Sequence, residues 1–202
     1  YRETDHLGGH DPYSGSKSCA ELVAHSYHHS FLRDAPTRTA TTRAGNVIGG
    51  GDWARDRLIP DIIKATVEGE SVEIRNPGAL RPWQHVLDPL EGYLMLIEHL
   101  WEDGAGFSEG WNFGPDGQDA VPVLRLAETL SELSAGAIRC CASGPDGPPE
   151  AALLSLNCAK ARERLGWRPK LPLNTALEWV WEWYEDYLQG SSDLQAVTQD
   201  QI

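Results

Sequence analysis

The chain has 202 residues, 41% of them hydrophobic and 23% charged, with 20 Gly, 13 Pro and 8 Trp. That apolar and aromatic mass is enough to offset the ordering entropy of one globular domain, or part of a larger one, and it excludes disorder for the bulk of the chain. A net charge of −13 argues against a nucleic-acid partner, and no apolar run reaches membrane-spanning length. Cys19, Cys140, Cys141 and Cys158 have neither CxxC pairing nor zinc-ligand spacing, so reduced thiols and a cytoplasmic location are expected. Met95 is the only methionine and Tyr1 is no natural start, so the sequence is expected to be a piece of a longer protein.

In chain order, a polar opening ends at Asp11-Pro12-Tyr13. A helix follows, with Ala20, Val23, Ala24, Tyr27 and Phe31 spaced by three and four. Pro12 suits its first turn, where the missing N–H costs nothing. Arg38 to Val47 reads as a strand closed by Gly49-Gly50-Gly51. Leu58 to Glu68 reads as a helix and Val72 to Arg75 as a short strand. His85 to Trp101 reads as a buried helix, from the broad face of Val86, Leu90, Tyr93, Leu94, Ile97 and Leu100. Trp111 to Gly114 is a brief strand ending in a turn. Helices are then expected over Pro122 to Leu133, Cys158 to Leu165 and Thr175 to Leu188, with Asn157 and Asn174 as N-caps and Gly166 just past the second. Ile138 to Ala142 reads as a strand, Ser143 to Glu150 as a loop, and residues beyond Gly190 carry too little apolar pattern to assign. Trp179, Trp181 and Trp183, with Tyr184 and Tyr187, are expected to pack in the core or an interface. Strands alternating with helices imply an α/β fold with a parallel sheet.

Three groups of residues carry possible chemistry. Tyr13 and Lys17 are one helical turn apart and share a face. An ammonium beside a phenol favours phenolate, which can take a proton from a hydroxyl being oxidised. Exposed Tyr and Lys at this spacing are common, so the pair alone does not establish a site. Arg43-Ala44-Gly45-Asn46-Val47-Ile48-Gly49-Gly50-Gly51-Asp52-Trp53 would bring an amide and bare backbone to the carboxyl edge of a sheet, where ligands of open α/β sheets bind. No GxGxxG is present, and an ordinary turn explains the glycines equally well. Arg57, Arg75 and Arg81, with Trp83 and His85 close behind, could clamp a diphosphate in an otherwise acidic chain, or could be solvated surface cations. His25 and His29 are a turn apart but lack an acidic or cysteine partner at matching spacing, so no metal site is expected.

Taken together, DPYSGSK, RAGNVIGGGDWARDRLIPD, RPWQHVLDPLEGY, FSEGWNFGP and KARERLGW resemble the extended short-chain dehydrogenase/reductase family. The likeness runs in order from about Gly8 to Gly190 and is nearest to its sugar-nucleotide 4,6-dehydratase branch, with CDP-glucose as the implied substrate. It implies the C-terminal part of a Rossmann-type parallel sheet with a smaller sugar-nucleotide-binding lobe. Residues 1–116 would be the remaining NAD-binding part, with substrate-lobe segments interleaved at about 57–84; residues 117–190 would be the C-terminal lobe and 191–202 a tail. The resemblance makes Tyr13 the catalytic base and has Lys17 hold it and the ribose of NAD, with Arg43 also at the cofactor. It brings Asn46, Arg57, Leu58, Arg75, Arg81, His85 and Asn112 to the nucleotide sugar. It also implies a homodimer, or a dimer of dimers, through the helix from Tyr13 to Phe31.

Two departures accompany the likeness. The glycine-rich turn for the pyrophosphate and a Thr-Asp acid pair would lie upstream of Tyr1, so the 202 residues alone are expected to be inactive. GPPEAALLSL lacks the basic or histidine residues usual at that part of the nucleotide pocket, which leaves the base open. Another dehydratase or epimerase of dTDP-, GDP- or UDP-sugars, or an inactive binding module, therefore stays as an alternative.

Overall fold

In the computed structural model, all residues other than 10, 103, 116, 118–119, 143–153 and 191–192 are described. Seven helices and seven strands are defined among these residues, with a short π turn (His28–Leu32) and a 3-10 turn (Gly104–Phe107). They fall into two compact units, Tyr1–Ala44 with Pro89–Gly114 and Leu156–Arg168, and Gly45–Asp88 with Pro115–Ser155 and Pro169–Ile202. No described helix is long and apolar enough to cross a membrane.

The first unit holds α1 (Pro12–Tyr27), β1 (Thr41–Ala44), most of α3 (Leu87–Glu102), β5 (Gly110–Phe113) and α5 (Ala159–Arg164). Strands β1 and β5 pair in parallel, with Thr41 opposite Gly110 and Ala44 opposite Phe113. Leu96, Trp111, Phe113, Cys158, Ala161, Leu165 and Trp167 form its core. Gly92 of α3 sits where a Cβ would lie 2.4 Å from the Phe113 ring and 3.0 Å from Trp167 Nε1. A helical Gly→Ala change ordinarily stabilises by up to about 1 kcal/mol. Here the clash wins: Gly92→Ala should destabilise by about 1–3 kcal/mol, as overpacking does, measured as a lowered denaturant midpoint.

The second unit holds β2 (Asn46–Ile48), α2 (Leu58–Glu68), β3 (Val72–Ile74), β4 (Leu80–His85), β6 (Ala120–Pro122), α4 (Val123–Leu133), β7 (Cys140–Ala142), α6 (Leu173–Leu188) and α7 (Leu194–Asp200). Strand β4 is central, parallel to β2 and antiparallel to β6, while β3 and β7 form a separate parallel pair. The core gathers Ile59, Ile62 and Ile63 of α2, Leu126 and Leu130 of α4, and Leu177, Val180, Trp181 and Tyr184 of α6.

The α/β class with parallel strands stands, and α2 has its expected limits. Other expectations need correction. The strand foreseen over Arg38 to Val47 is two strands separated at Gly45, where a Cβ would lie 2.6 Å from the Pro82 carbonyl oxygen. His85 ends β4 rather than opening α3. Helix α3 is not buried along the expected face: Leu90, Leu94 and Ile97 are exposed, while Asp88, Gly92 and Leu96 are buried. Cys158 and Pro172 occupy the N-cap positions foreseen for Asn157 and Asn174, although Asn157 Oδ1 still accepts the Ala159 N–H at 2.9 Å. Gly166 takes the left-handed conformation expected past α5, with φ of 71°. Beyond Gly190, where no structure was assigned, Leu194–Asp200 forms α7, capped by Asp193. The loop foreseen over Ser143 to Glu150 lies outside the described residues.

Candidate active site

Asp11 sets the first turn of α1: its carboxylate accepts the Ser14 N–H at 2.9 Å, with Pro12 at the first helical position. That turn presents Tyr13, 71% exposed, with the Lys17 ammonium 5.5 Å from its ring centroid. Both line a cleft of about 500 Å³ together with Ala20, Glu21 and Thr41 to Ala44. The two residues expected to act together therefore do share one space.

Glu21 continues the stripe of Tyr13 and Lys17 along α1, and sequence reasoning missed it, although the regular spacing of four was visible. It grips Arg43 through two bonds, Nε to Oε1 at 2.6 Å and Nη2 to Oε2 at 3.0 Å, and accepts the Thr41 hydroxyl at 2.8 Å. Arg43 holds the Glu21 carboxyl below the usual carboxylate range, and Glu21 in turn raises Arg43. Arg43, expected at the cofactor, thus gives one edge of its guanidinium to the cleft wall.

Asn112 is fully buried on β5. Its Nδ2 donates to the carbonyls of Tyr1 and Asn157, both at 3.2 Å, and its backbone N–H donates to Glu3 Oε1 at 3.0 Å. Its side chain ties together three stretches of chain, which is a structural task in addition to the nucleotide contact expected of it. The His25 and His29 rings lie 4.3 Å apart, and among the described residues no group of three His, Cys, Asp or Glu is arranged to hold a metal.

In the second unit, Asn46 opens β2 opposite Trp83. Arg57 is the residue before α2 and meets Asp52 Oδ2 at 3.4 Å, an exposed pair loose enough for the guanidinium to turn toward an anion. Leu58 follows at the start of α2, half-buried. Arg75 is exposed just after β3 and lies within electrostatic reach of Asp61 on α2. Burial, then the neighbouring Asp56, pushes the Asp61 carboxyl up. Arg81 is half-buried on β4, opposite Val121, and its Nη1 donates to the Leu80 carbonyl at 3.0 Å.

His85 is 2% exposed at the end of β4, edge-on to Trp179 with ring centroids 5.7 Å apart. Its Nδ1 accepts the Leu87 N–H at 3.4 Å, which places the ring hydrogen on Nε2. Desolvation lowers its pKa from 6.5 to about 4. The folded value lies below the unfolded one, so this stability is whole above pH 6.5 and is lost as the pH falls from 6.5 to about 4. The loss amounts to about 3 kcal/mol, at 1.36 kcal/mol for each pH unit. Unfolding midpoints measured from pH 7 to pH 4 should therefore fall, and His85→Gln should flatten that fall. An unchanged slope in the variant would assign the acid sensitivity to other groups.

Parallel strand pairs with intervening helices, preceded by α1 with its Tyr-x-x-x-Lys pair, define a Rossmann-type α/β protein. MoeE5 in complex with UDP-glucose and NAD superposes with a TM-score of 0.78 at 26% identity, over 93% of this chain and 60% of that one. The dTDP-glucose 4,6-dehydratase of Bacillus anthracis, solved in complex with NAD, shares the fold at a TM-score of 0.75 and 22% identity, over 96% of this chain and 58% of that one. The family model for GDP-mannose 4,6 dehydratase matches residues 1–179, and the chain belongs to that family. A curated relative, the CDP-glucose 4,6-dehydratase of Salmonella typhimurium (strain LT2), is 45% identical over 199 residues. The match takes in 96% of this chain and 55% of that relative, so the chain spans little more than half its length.

Proposed function

We propose that the complete protein is an NAD-dependent sugar-nucleotide 4,6-dehydratase whose substrate is CDP-glucose. The observation that carries this reading is the 45% identity, across 96% of the chain, to a CDP-glucose 4,6-dehydratase. The phenol and ammonium on one cleft wall suit the ribose and nicotinamide end of a dinucleotide, which Tyr13 and Lys17 would hold, with Arg43 bracing the wall behind them. When bound, NAD would supply the hydride acceptor and donor that an internal oxidation and reduction of the sugar needs. Tyr13 takes the proton of the 4-hydroxyl, and Lys17 steadies the negative charge that the phenol carries while doing so. The carbonyl left at C4 acidifies the C5 hydrogen, so water can leave across C5 and C6. On the second unit, Arg57 and Arg81 would hold the diphosphate, with Asn46, Leu58, Arg75 and His85 around the nucleotide sugar.

The test is to incubate the complete protein with NAD and each of CDP-, dTDP-, GDP- and UDP-glucose, and to identify products by NMR. A 4-keto-6-deoxy sugar formed fastest from CDP-glucose is the expected result. A C4 epimer, or preference for another nucleotide, would replace this reading.

The same reading includes a homodimer. Leu22, Val23, Tyr27 and Phe31 are exposed along α1 and its π-turn extension, and Leu90, Leu94, Ile97 and Trp101 are exposed along α3. Two such helices from each of two copies would bury these stripes as a four-helix bundle. The complete protein should sediment as a dimer at micromolar concentration, and Phe31→Asp combined with Leu94→Asp should yield monomers. A wild-type monomer would remove the interface.

A further inference from the structure

The glycine-rich turn after β2 is held by aromatic residues that no step of the proposed reaction uses. A Cβ on Gly50 would lie 2.2 Å from Trp183 Cγ, and one on Gly51, whose φ is 77°, would lie 3.1 Å from Trp183 Cζ2. The indole thus lies directly against the turn, at a distance only glycine permits. Beside it, the Tyr184 hydroxyl donates to the Asp52 carbonyl at 2.6 Å. Trp53 packs against Tyr184 and Tyr187, with centroids 5.4 and 4.9 Å away. This loop ends at Arg57, the Asp52 partner placed above at the diphosphate.

Trp183 is in turn fixed from behind. Its Nε1 donates to Thr198 Oγ1 of α7 at 3.0 Å, while that hydroxyl donates to the Leu194 carbonyl at 3.0 Å. Gln201, the residue just past α7, donates from Nε2 to the Trp179 carbonyl, also at 3.0 Å, so α7 and its C-cap are tied to α6 at two points. No structure was expected for this segment, yet its contacts with α6 reach Trp183, which faces the turn, and Trp179, which faces His85.

We propose that Trp183, fastened by Thr198 of α7, is a positioning residue that holds the Gly50–Arg57 loop ready for the nucleotide diphosphate. A loop opening on two glycines has more conformers to lose on binding than most, and the indole plate removes many of them beforehand. The role concerns binding rather than the proton and hydride steps, so it acts on KM and leaves kcat. It rests on the dehydratase reading only for the identity of the ligand.

The experiment compares Trp183→Leu, Trp183→Phe, Thr198→Val and Thr198→Ser in the complete protein by amide hydrogen exchange and by steady-state kinetics. Trp183→Leu should speed exchange of residues 50–57 by roughly tenfold and raise KM for CDP-glucose by a similar factor, with kcat within about twofold. Thr198→Val should do the same to a smaller extent, and Trp183→Phe and Thr198→Ser should restore most of the loss. Unchanged exchange at 50–57 overturns the proposal. So does a fall in kcat that matches a general drop in melting temperature, which is what a merely structural residue would give. If the wild-type protein fails to turn over CDP-glucose, the dehydratase reading falls, and the exchange data still decide whether Trp183 holds the loop.

Discussion

Replacing Tyr13 with Phe in the complete protein should lower kcat by roughly 10²- to 10⁴-fold, the usual worth of a positioned general base, with little change in KM. The ring and its place over Lys17 survive the substitution; only the hydroxyl that takes the proton is lost. The 71% exposure of Tyr13 on the cleft wall means that no core packing depends on that hydroxyl, so the variant should fold normally. Circular dichroism and the binding of CDP would establish that. Turnover close to wild type in Tyr13→Phe would exclude Tyr13 as the base and leave the Tyr13-Lys17 spacing as an ordinary helix surface.

Arg81→Ala should act on binding. A hydrogen bond to a charged group contributes about 1.5–3 kcal/mol, so the dissociation constant for CDP should rise roughly ten- to hundredfold. Arg57 is more exposed and shares its charge with Asp52, so Arg57→Ala should cost less than Arg81→Ala. Calorimetric titration with CDP reads both variants directly. An unchanged constant in Arg81→Ala would remove Arg81 from the nucleotide site.

How much of this could be read beforehand depended on whether a residue's environment is local. Helix α2 was legible at both ends because its apolar spacing is regular and Gly69, with φ of 72°, stops it. Asp11 and Pro12 announced α1 for the same reason: caps act within one turn. Strand β4 was missed since RPWQH contains a proline and several polar groups. It is a strand because β2 and β6 flank it, and that pairing lies far away in sequence. The apolar face of α3 was seen, but periodicity reports only that a face is apolar, not what covers it; Leu90, Leu94 and Ile97 are exposed here. Helix α7 depends on contacts with Trp179 and Trp183 of α6, which its own seven residues do not advertise. At the candidate site the Tyr13-Lys17 pair was plain from spacing, whereas the hold of Glu21 on Arg43 required β1 to lie beside α1.

The central claim, that this chain carries the base and much of the substrate side of an internal oxidation and reduction of a sugar nucleotide, has one direct test. CDP-glucose deuterated at C4 is given to the complete protein with NAD, and the product is examined by NMR and mass spectrometry. The account predicts a 4-keto-6-deoxy sugar with the deuterium at C6, retained within the same molecule, and no net consumption of NAD. Deuterium returned to C4 of an epimer, or lost to solvent with no dehydration, would contradict it.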